Sequence, residues 1–339
     1  MHILVIGGTR FVGRHIVEAA LAHGHQVTLL HRGGSGDDPF PQCEHVHVDR
    51  DGDLSVLADR GFDAVVDVSA YVPRQVHALA DALGERAGRY LFISTVSVYD
   101  LPAHQPFAED GALTAPPGDA ATEEVTEQTY GGLKVLCEQA ASERFGQRLT
   151  VVRPTYVVGP FDYTHRFTYW VERLARGGEV LAPAPADAWL QIIDARDQGA
   201  FVVRLLEDDV DGTFHTVWPG VSGATFGQVL AEVAAAVAPE GTTITYVDPQ
   251  FLHDHGVDGQ ALPLWDDEEV ESGAPALPDA ALGAGLSPRP VGQTARELLA
   301  AETADPTTDE YGVGLGPERE AEVLAAWHAR PVGTDPGER

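Results

Sequence analysis

The chain has 339 residues, 44% of them hydrophobic, and its 52 acidic against 22 basic side chains give a formal charge of −30. That length suits one large α/β domain with an appendage, and that charge opposes sequence-independent nucleic-acid binding and docking on anionic membranes. No apolar run is long enough to span a bilayer, no signal-peptide n-region precedes the first strand, and Cys43 and Cys137 lack CxxC spacing, so a soluble cytoplasmic protein without a disulfide framework or zinc site is expected.

In chain order, the apolar run 2–6 ending at glycines predicts a buried parallel strand. A helical pattern follows from Phe11 to His23, with Val12, Ile16, Ala19, Ala20 and His23 near one face, and Gly24 closes it. Further strands are predicted at 26–30, 45–48, 63–68, 89–94 and 149–153, with helical stretches between most of them. Strand–helix alternation with almost wholly apolar central strands predicts an α/β fold, a doubly wound parallel sheet, and the change in composition after Pro160 marks off a smaller C-terminal domain. Prolines and small polar residues mark 100–128 as a long loop. The aromatic segment 161–170 opens the second domain, and 190–217 reads as a return to the sheet through a strand, a helix from Asp194 and a strand at 213–217. The predicted division is 1–160 plus about 190–217 for the nucleotide-binding domain, 161–189 plus 218–330 for the substrate domain, and 331–339 as a frayed tail. The acidic stretch 266–271 reads as a solvated face.

The turn GGTRFVG, residues 7–13, follows a strand and opens a helix, the context a dinucleotide fingerprint requires. Gly7 permits the tight turn, Gly13 lets helix and strand pack closely, and the helix N-terminus offers N–H groups to a pyrophosphate. The middle glycine of the usual pattern is Arg10, and the second strand ends in His31 and Arg32 with no carboxylate. An acid there would hold the ribose hydroxyls of NAD, whereas an arginine can grip a 2′-phosphate through its fork, so NADP is preferred over NAD.

The strand LFISTVSVY, 91–99, ends in hydroxyls, and YGGLK, Tyr130 to Lys134, follows. Residues i and i+4 share a helix face, and an ammonium there favours phenolate, tuning the tyrosine as a general acid for carbonyl reduction and a base for the reverse. Lys134 is the only lysine in the chain, and asparagine is absent altogether, a bias that a GC-rich gene or a salt-adapted acidic surface would explain. Thr95 could hold the substrate oxygen.

With these motifs, and with RPTYVVGP (153–160) and QIIDARD (191–197), the chain resembles the extended short-chain dehydrogenase/reductase superfamily from residue 2 to about 217. Within it the chain resembles the NAD(P)-dependent epimerase/dehydratase group, in a subgroup carrying GGTRF rather than GGTGF. The resemblance implies Thr95, Tyr130 and Lys134 as the catalytic set, with Lys134 also on the nicotinamide ribose. It implies a cofactor site from Gly7, Thr9, Arg10, Phe11, Val12, Gly13, His31, Arg32, Asp49, Arg50, Val68, Ser69, Ala70, Ser94, Pro154 and Thr155. Asp49 resembles the family's adenine-contacting aspartate, and Asp67 stands where these enzymes often have Asn. Tyr156, Arg166 and Gln191 are the substrate-binding candidates; at the position of Tyr156, sugar-nucleotide epimerases often carry Asn, which weakens a transfer of their specificity. Thr95 is followed by Val96 and Ser97 rather than Asp-Glu, which disfavours sugar dehydration. The family often dimerises through the helices after the fourth and fifth strands, here starting near Pro73 and Tyr130, so a homodimer is a possible assembly.

Other residues admit two readings. His45 and His47 alternate along a strand, as do His253 and His255 in an acidic loop, but no acidic third ligand with fitting spacing follows, and no metal site is predicted. Arg166, Tyr169 and Trp170 either line a pocket or pack in the core, Trp265 is a lid residue or an anchor, and Asp194 reads as a helix N-cap. The expected function is an NADP(H)-dependent oxidoreductase acting on a ketone or secondary alcohol of a small polar metabolite. The alternatives are an NAD(P)-dependent epimerase of a sugar or nucleotide-sugar, working through a transient keto intermediate, and a non-catalytic nucleotide- or RNA-binding member. The expected partner is a small-molecule substrate, with neither nucleic acid nor membrane.

Overall fold

The computed structural model describes residues 1–33, 39–100, 105–118, 122–219, 224–265 and 275–330. The acidic stretch 266–271, the tail 331–339 and parts of the 100–128 loop lie outside them. Contacts divide the chain into two units, the first comprising Met1–Phe161, Gln191–Ser222 and Ala274–Arg289 and the second the remainder.

The first unit is built on seven strands, β1 (His2–Ile6), β2 (Gln26–His31), β3 (Glu44–His47), β4 (Phe62–Asp67), β5 (Ala87–Ile93), β6 (Leu149–Pro154) and, late in the chain, Gly212–Thr216, β10 by chain order. They lie in the order β10-β6-β5-β4-β1-β2-β3, every pair parallel. The order reverses at β1/β4, the doubly wound arrangement that sequence periodicity predicts. The strands are apolar on both sides because both faces are covered. Ile3, Val5, Leu29 and Val66 face one core with α1 (Phe11–Ala22) and the helix Ala195–Glu207, α5 by chain order. Leu4, Ile6, Val65 and Tyr90 face the other with α2 (Pro73–Leu83) and α3 (Glu127–Phe145). Helices α1 and α5 approach closely enough that a β-carbon on Gly199 would lie 2.7 Å from the His15 carbonyl oxygen.

Two details differ from the linear reading. The strand predicted near 190 is Ile192–Asp194 (β9), and it pairs in parallel with Tyr156–Val158 (β7) as a separate two-stranded sheet. Residues 274–289, expected in the second domain, group with the first unit. Ala281 and Leu286 join the α1/α5 core, the Gln191 side chain bonds both ways to the backbone of Ala276 (2.9 and 2.7 Å), and Arg289 pairs with Asp197 at 2.8 Å.

The second unit carries α4 (Arg166–Arg176), β8 (Glu179–Pro183), α6 (Phe226–Val237), β11 (Thr243–Val247), α7 (Pro249–Asp254) and two late helices, Val291–Ala304 and Pro317–His328. Strands β8 and β11 pair in parallel. Trp170 is fully buried, edge-on to Phe226, and its Nε1 donates to the Pro263 carbonyl at 2.6 Å. Tyr169, Trp170 and Trp265 are all buried, in keeping with the core reading of the first two and the anchor reading of Trp265. No described helix is long and apolar enough to cross a membrane.

Candidate active site

The carboxyl ends of β1 to β6 form one crest of the sheet, where open α/β sheets bind their ligands. The residues proposed for the cofactor stand on it. Gly7 to Gly13 make the β1–α1 turn, His31 and Arg32 end β2, Asp49 and Arg50 follow β3, Val68 to Ala70 follow β4, Ser94 follows β5, and Pro154 and Thr155 close β6.

The turn is shaped by close approach. Gly7 has φ +84, and a β-carbon there would meet Ser69 Oγ at 3.0 Å; one on Gly13 would lie 2.0 Å from the Gly7 carbonyl oxygen. Phe11, though not glycine, takes φ +35 at the first position of α1. Such strain persists only where the surroundings over-determine it, typically at a ligand-binding turn. No side chain caps α1 and no acid stands in its first turn. Its amino end therefore keeps its positive dipole for an anion. A dinucleotide pyrophosphate fits this cradle. Arg10 and Arg32 are exposed.

Arg50 points inward instead. Its guanidinium binds Asp67 in a fork at 2.7 and 2.8 Å and reaches Ser69 Oγ at 3.2 Å. Asp67 is fully buried at the end of β4 and also accepts from the Tyr90 hydroxyl at 2.8 Å. Burial raises its pKa, but the charge and hydrogen bonds of Arg50, with Tyr90 and the Ser69 N–H, outweigh this and hold the carboxyl below its ordinary value. Asp49 is exposed and turns its carboxylate to the Asp51 N–H at 3.0 Å.

The catalytic candidates lie on α3 and the end of β5. Thr126 and Thr129 form a reciprocal capping box, so α3 starts at Glu127 and Tyr130 falls in its first turn. The helix comes down on the β5 turn because YGGLK has no side chains at two points. A β-carbon on Gly131 would be 2.1 Å from the Ser97 carbonyl oxygen, and one on Gly132 would be 2.8 Å from that of Ala115. Lys134 is buried, and its Nζ donates to the carbonyls of Ile93 (2.7 Å) and Ala70 (3.0 Å), bridging the ends of β5 and β4. The Phe92 ring lies 4.3 Å from it. Desolvation brings its pKa down to about 8. Tyr130 is half-buried, with its ring 6.4 Å from that of Tyr71. Thr95 is buried and caps the short turn Val96–Val98, its Oγ1 accepting from the Ser97 N–H at 3.1 Å and donating to Ser97 Oγ at the same distance. Ser94 Oγ is buried without a hydrogen-bond partner, a polar atom left for a ligand.

The linear reading did not single out two groups here. Tyr71, exposed after β4, stands beside Tyr130 and 5.5 Å from Lys134 Nζ. Behind the β5 turn, Arg153 holds Glu138 in a fork at 3.0 and 2.6 Å and donates to the Tyr99 hydroxyl at 2.5 Å. That hydroxyl donates onward to His215 Nε2 at 2.6 Å, because His215 Nδ1 must donate to the Leu277 carbonyl. Burial pushes the Tyr99 phenol up to about 12. The two tyrosines of the motif region thus differ in kind, Tyr99 an anchor for the turn and Tyr130 near the crest.

Of the substrate candidates, Tyr156 opens β7, with its N–H on the Gln191 carbonyl at 3.1 Å, and the Gln191 amide is occupied by Ala276. Arg166 lies in the second unit, its Nε 3.2 Å from Thr164 Oγ1.

Comparison with known proteins agrees with this architecture. The chain is 28% identical over 266 residues to the Arabidopsis thaliana chloroplast stem-loop binding protein of 41 kDa b, spanning 74% of this chain and 67% of that protein. UDP-N-acetylglucosamine 4-epimerase from Bacillus cereus superposes with TM-score 0.67 at 18% identity, over 88% of this chain and 99% of that one. The human epimerase family protein SDR39U1, solved with NADPH, superposes with TM-score 0.61 at 20% identity, over 89% and 99%. These structural likenesses show the fold. A sequence profile of the NAD dependent epimerase/dehydratase family matches residues 3–217, well over half the chain, and the chain therefore belongs to that family, as an NAD(P)-dependent enzyme of the extended short-chain dehydrogenase/reductase kind.

Proposed function

We propose that the protein is an NADP(H)-dependent oxidoreductase that reduces a ketone, or oxidises a secondary alcohol, on a small polar metabolite. Thr95, Tyr130 and Lys134 serve the reaction. The observation that carries the reading is the chain's single lysine, buried one helical turn from Tyr130 and fastened to the ends of β4 and β5 through Ala70 and Ile93. A nicotinamide held on this crest would supply or take the hydride. Tyr130 gives its phenolic proton to the carbonyl oxygen in reduction and takes it back in oxidation. Two N–H groups of Lys134 are spent on backbone, and its third is available to a ribose hydroxyl. The positive charge of Lys134 and the amino end of α3 both favour the phenolate. Thr95 orients the substrate oxygen, and Ser94 Oγ offers a further polar contact. The exposed Arg32, beside His31 and without a carboxylate, supports the 2′-phosphate of NADP.

Epimerisation with the same residues is the second reading, and the family match favours it equally on chemistry. A cofactor assay separates the two. A reductase consumes added NADPH and releases NADP, whereas an epimerase retains its dinucleotide through purification and shows no net absorbance change. Stoichiometric, tightly held dinucleotide in the purified protein would overturn the reductase reading in favour of the epimerase.

A further inference from the structure

Three imidazoles converge at the edge of the sheet, outside the catalytic set. Strands β2 and β3 are parallel neighbours in a register that sets His31 opposite His47, and His45, two residues earlier on β3, shares the face of His47. The ring centroids are 5.1 Å apart for His31 and His45, 4.7 Å for His31 and His47, and 6.0 Å for His45 and His47. One nitrogen from each lies within 4.8 Å of the others, the only such trio of metal-ligating side chains among the described residues.

The hydrogen bonds orient the cluster. His45 Nε2 lies 2.9 Å from the Phe40 carbonyl oxygen. A carbonyl can only accept, so this nitrogen carries the proton, and Nδ1 of the neutral ring holds its lone pair toward the cluster. His31 Nε2 lies 2.8 Å from that Nδ1, and the Gly33 N–H donates to His31 Nδ1 at 3.2 Å. A histidine whose outer nitrogen is pinned by a backbone carbonyl while the inner one faces other imidazoles has the support usual for a metal ligand.

We propose that His31, His45 and His47 bind one divalent transition-metal ion of the zinc class. Imidazole selects zinc, cobalt, nickel or copper over magnesium and calcium. Ligands at about 2.0–2.1 Å from a tetrahedral ion stand roughly 3.3 Å apart, so small ring rotations suffice. The ion takes the place of the proton between His31 and His45. That proton passes to His31 Nδ1 as the Gly33 contact is released, so no net charge leaves the neutral rings. In a tetrahedral site three protein ligands leave a fourth position for water or an anion.

The test is titration of the full-length, chelator-stripped protein with Zn2+ by calorimetry and with Co2+ by visible absorption. One ion per chain is expected, with the intense bands of four-coordinate Co2+. His45→Gln and His47→Gln should each weaken binding more than about tenfold. The double variant His23→Gln/His25→Gln removes a different imidazole pair, which meets Glu207 at 3.1 and 2.9 Å, and should change nothing. X-ray absorption of the Zn2+-loaded wild type should count three imidazoles, a readout that needs no variant to fold. Absence of stoichiometric binding, fewer than three imidazoles around zinc, or binding that survives in His45→Gln/His47→Gln overturns the proposal.

Discussion

In the proposed mechanism the chemistry turns on Lys134, and its uniqueness makes it measurable. Lysine labelled with carbon-13 at Cε gives a single side-chain resonance in this protein, and its pH titration should centre near 8 rather than at the ordinary 10.5. The sign for stability follows from linkage. Between about 8 and the ordinary value the unfolded chain holds a proton that the folded one has lost, so stability rises with pH through that window. Under the proposed mechanism activity runs the other way, because the charged form supports the phenolate, and reductive turnover should fall as pH climbs past about 8. A resonance titrating at the ordinary lysine value would remove the burial argument. Tyr130→Phe should abolish turnover and leave dinucleotide affinity within a few fold, while Lys134→Ala should damage both; wild-type turnover in Tyr130→Phe would dismiss the mechanism. Arg32→Asp should shift preference from NADP toward NAD, read as the ratio of kcat/KM for the two cofactors.

At the scale of elements, the decisive junction is α3 against the β5 turn. Gly131→Ala would force a β-carbon to 2.1 Å from the Ser97 carbonyl oxygen, and backbone cannot swing aside as a side chain can. A loss of about 1–3 kcal/mol in denaturant melts is expected, together with reduced turnover as Tyr130 is shifted with its helix; an unperturbed melt would mean that the helix has room to settle. Much at this scale was legible in the linear chain. The central strands declared themselves because burial on both faces leaves no polar alternation, and the GGTRFVG turn because its glycines answer to close backbone approach. What stayed hidden came from spatial neighbours. His31 meets His45 and His47 only through the parallel register of β2 and β3, and a search along the chain for a third ligand passes it by. Gln191 reads as a pocket residue until the backbone of Ala276 is seen to occupy its amide. The pairing of β9 with β7 leaves no local trace either, since three-residue strands carry too little pattern.

For the molecule as a whole, the charge of −30 sets the terms of association. The Arabidopsis relative carries a stem-loop-binding name. Phosphate contacts need clustered cations, and 22 basic residues among 52 acidic ones supply few. Filter retention of a structured RNA should therefore be negligible at physiological salt, and retention that survives in Tyr130→Phe would revive a non-catalytic RNA-binding role. Self-repulsion at this charge also predicts a melting temperature that rises with added sodium chloride, since screening relieves the folded state most.

The return of 274–289 to the first unit bears on how the protein is made. Ala281 and Leu286 seal a core shared with Val203, Leu206 and Phe214. A ribosome that has delivered β1 through β10 has thus not yet delivered everything this half needs to close. The nascent sheet stays unsealed until residue 289 clears the exit tunnel, and a gene truncated after β10 should yield aggregate rather than a free-standing nucleotide-binding fragment.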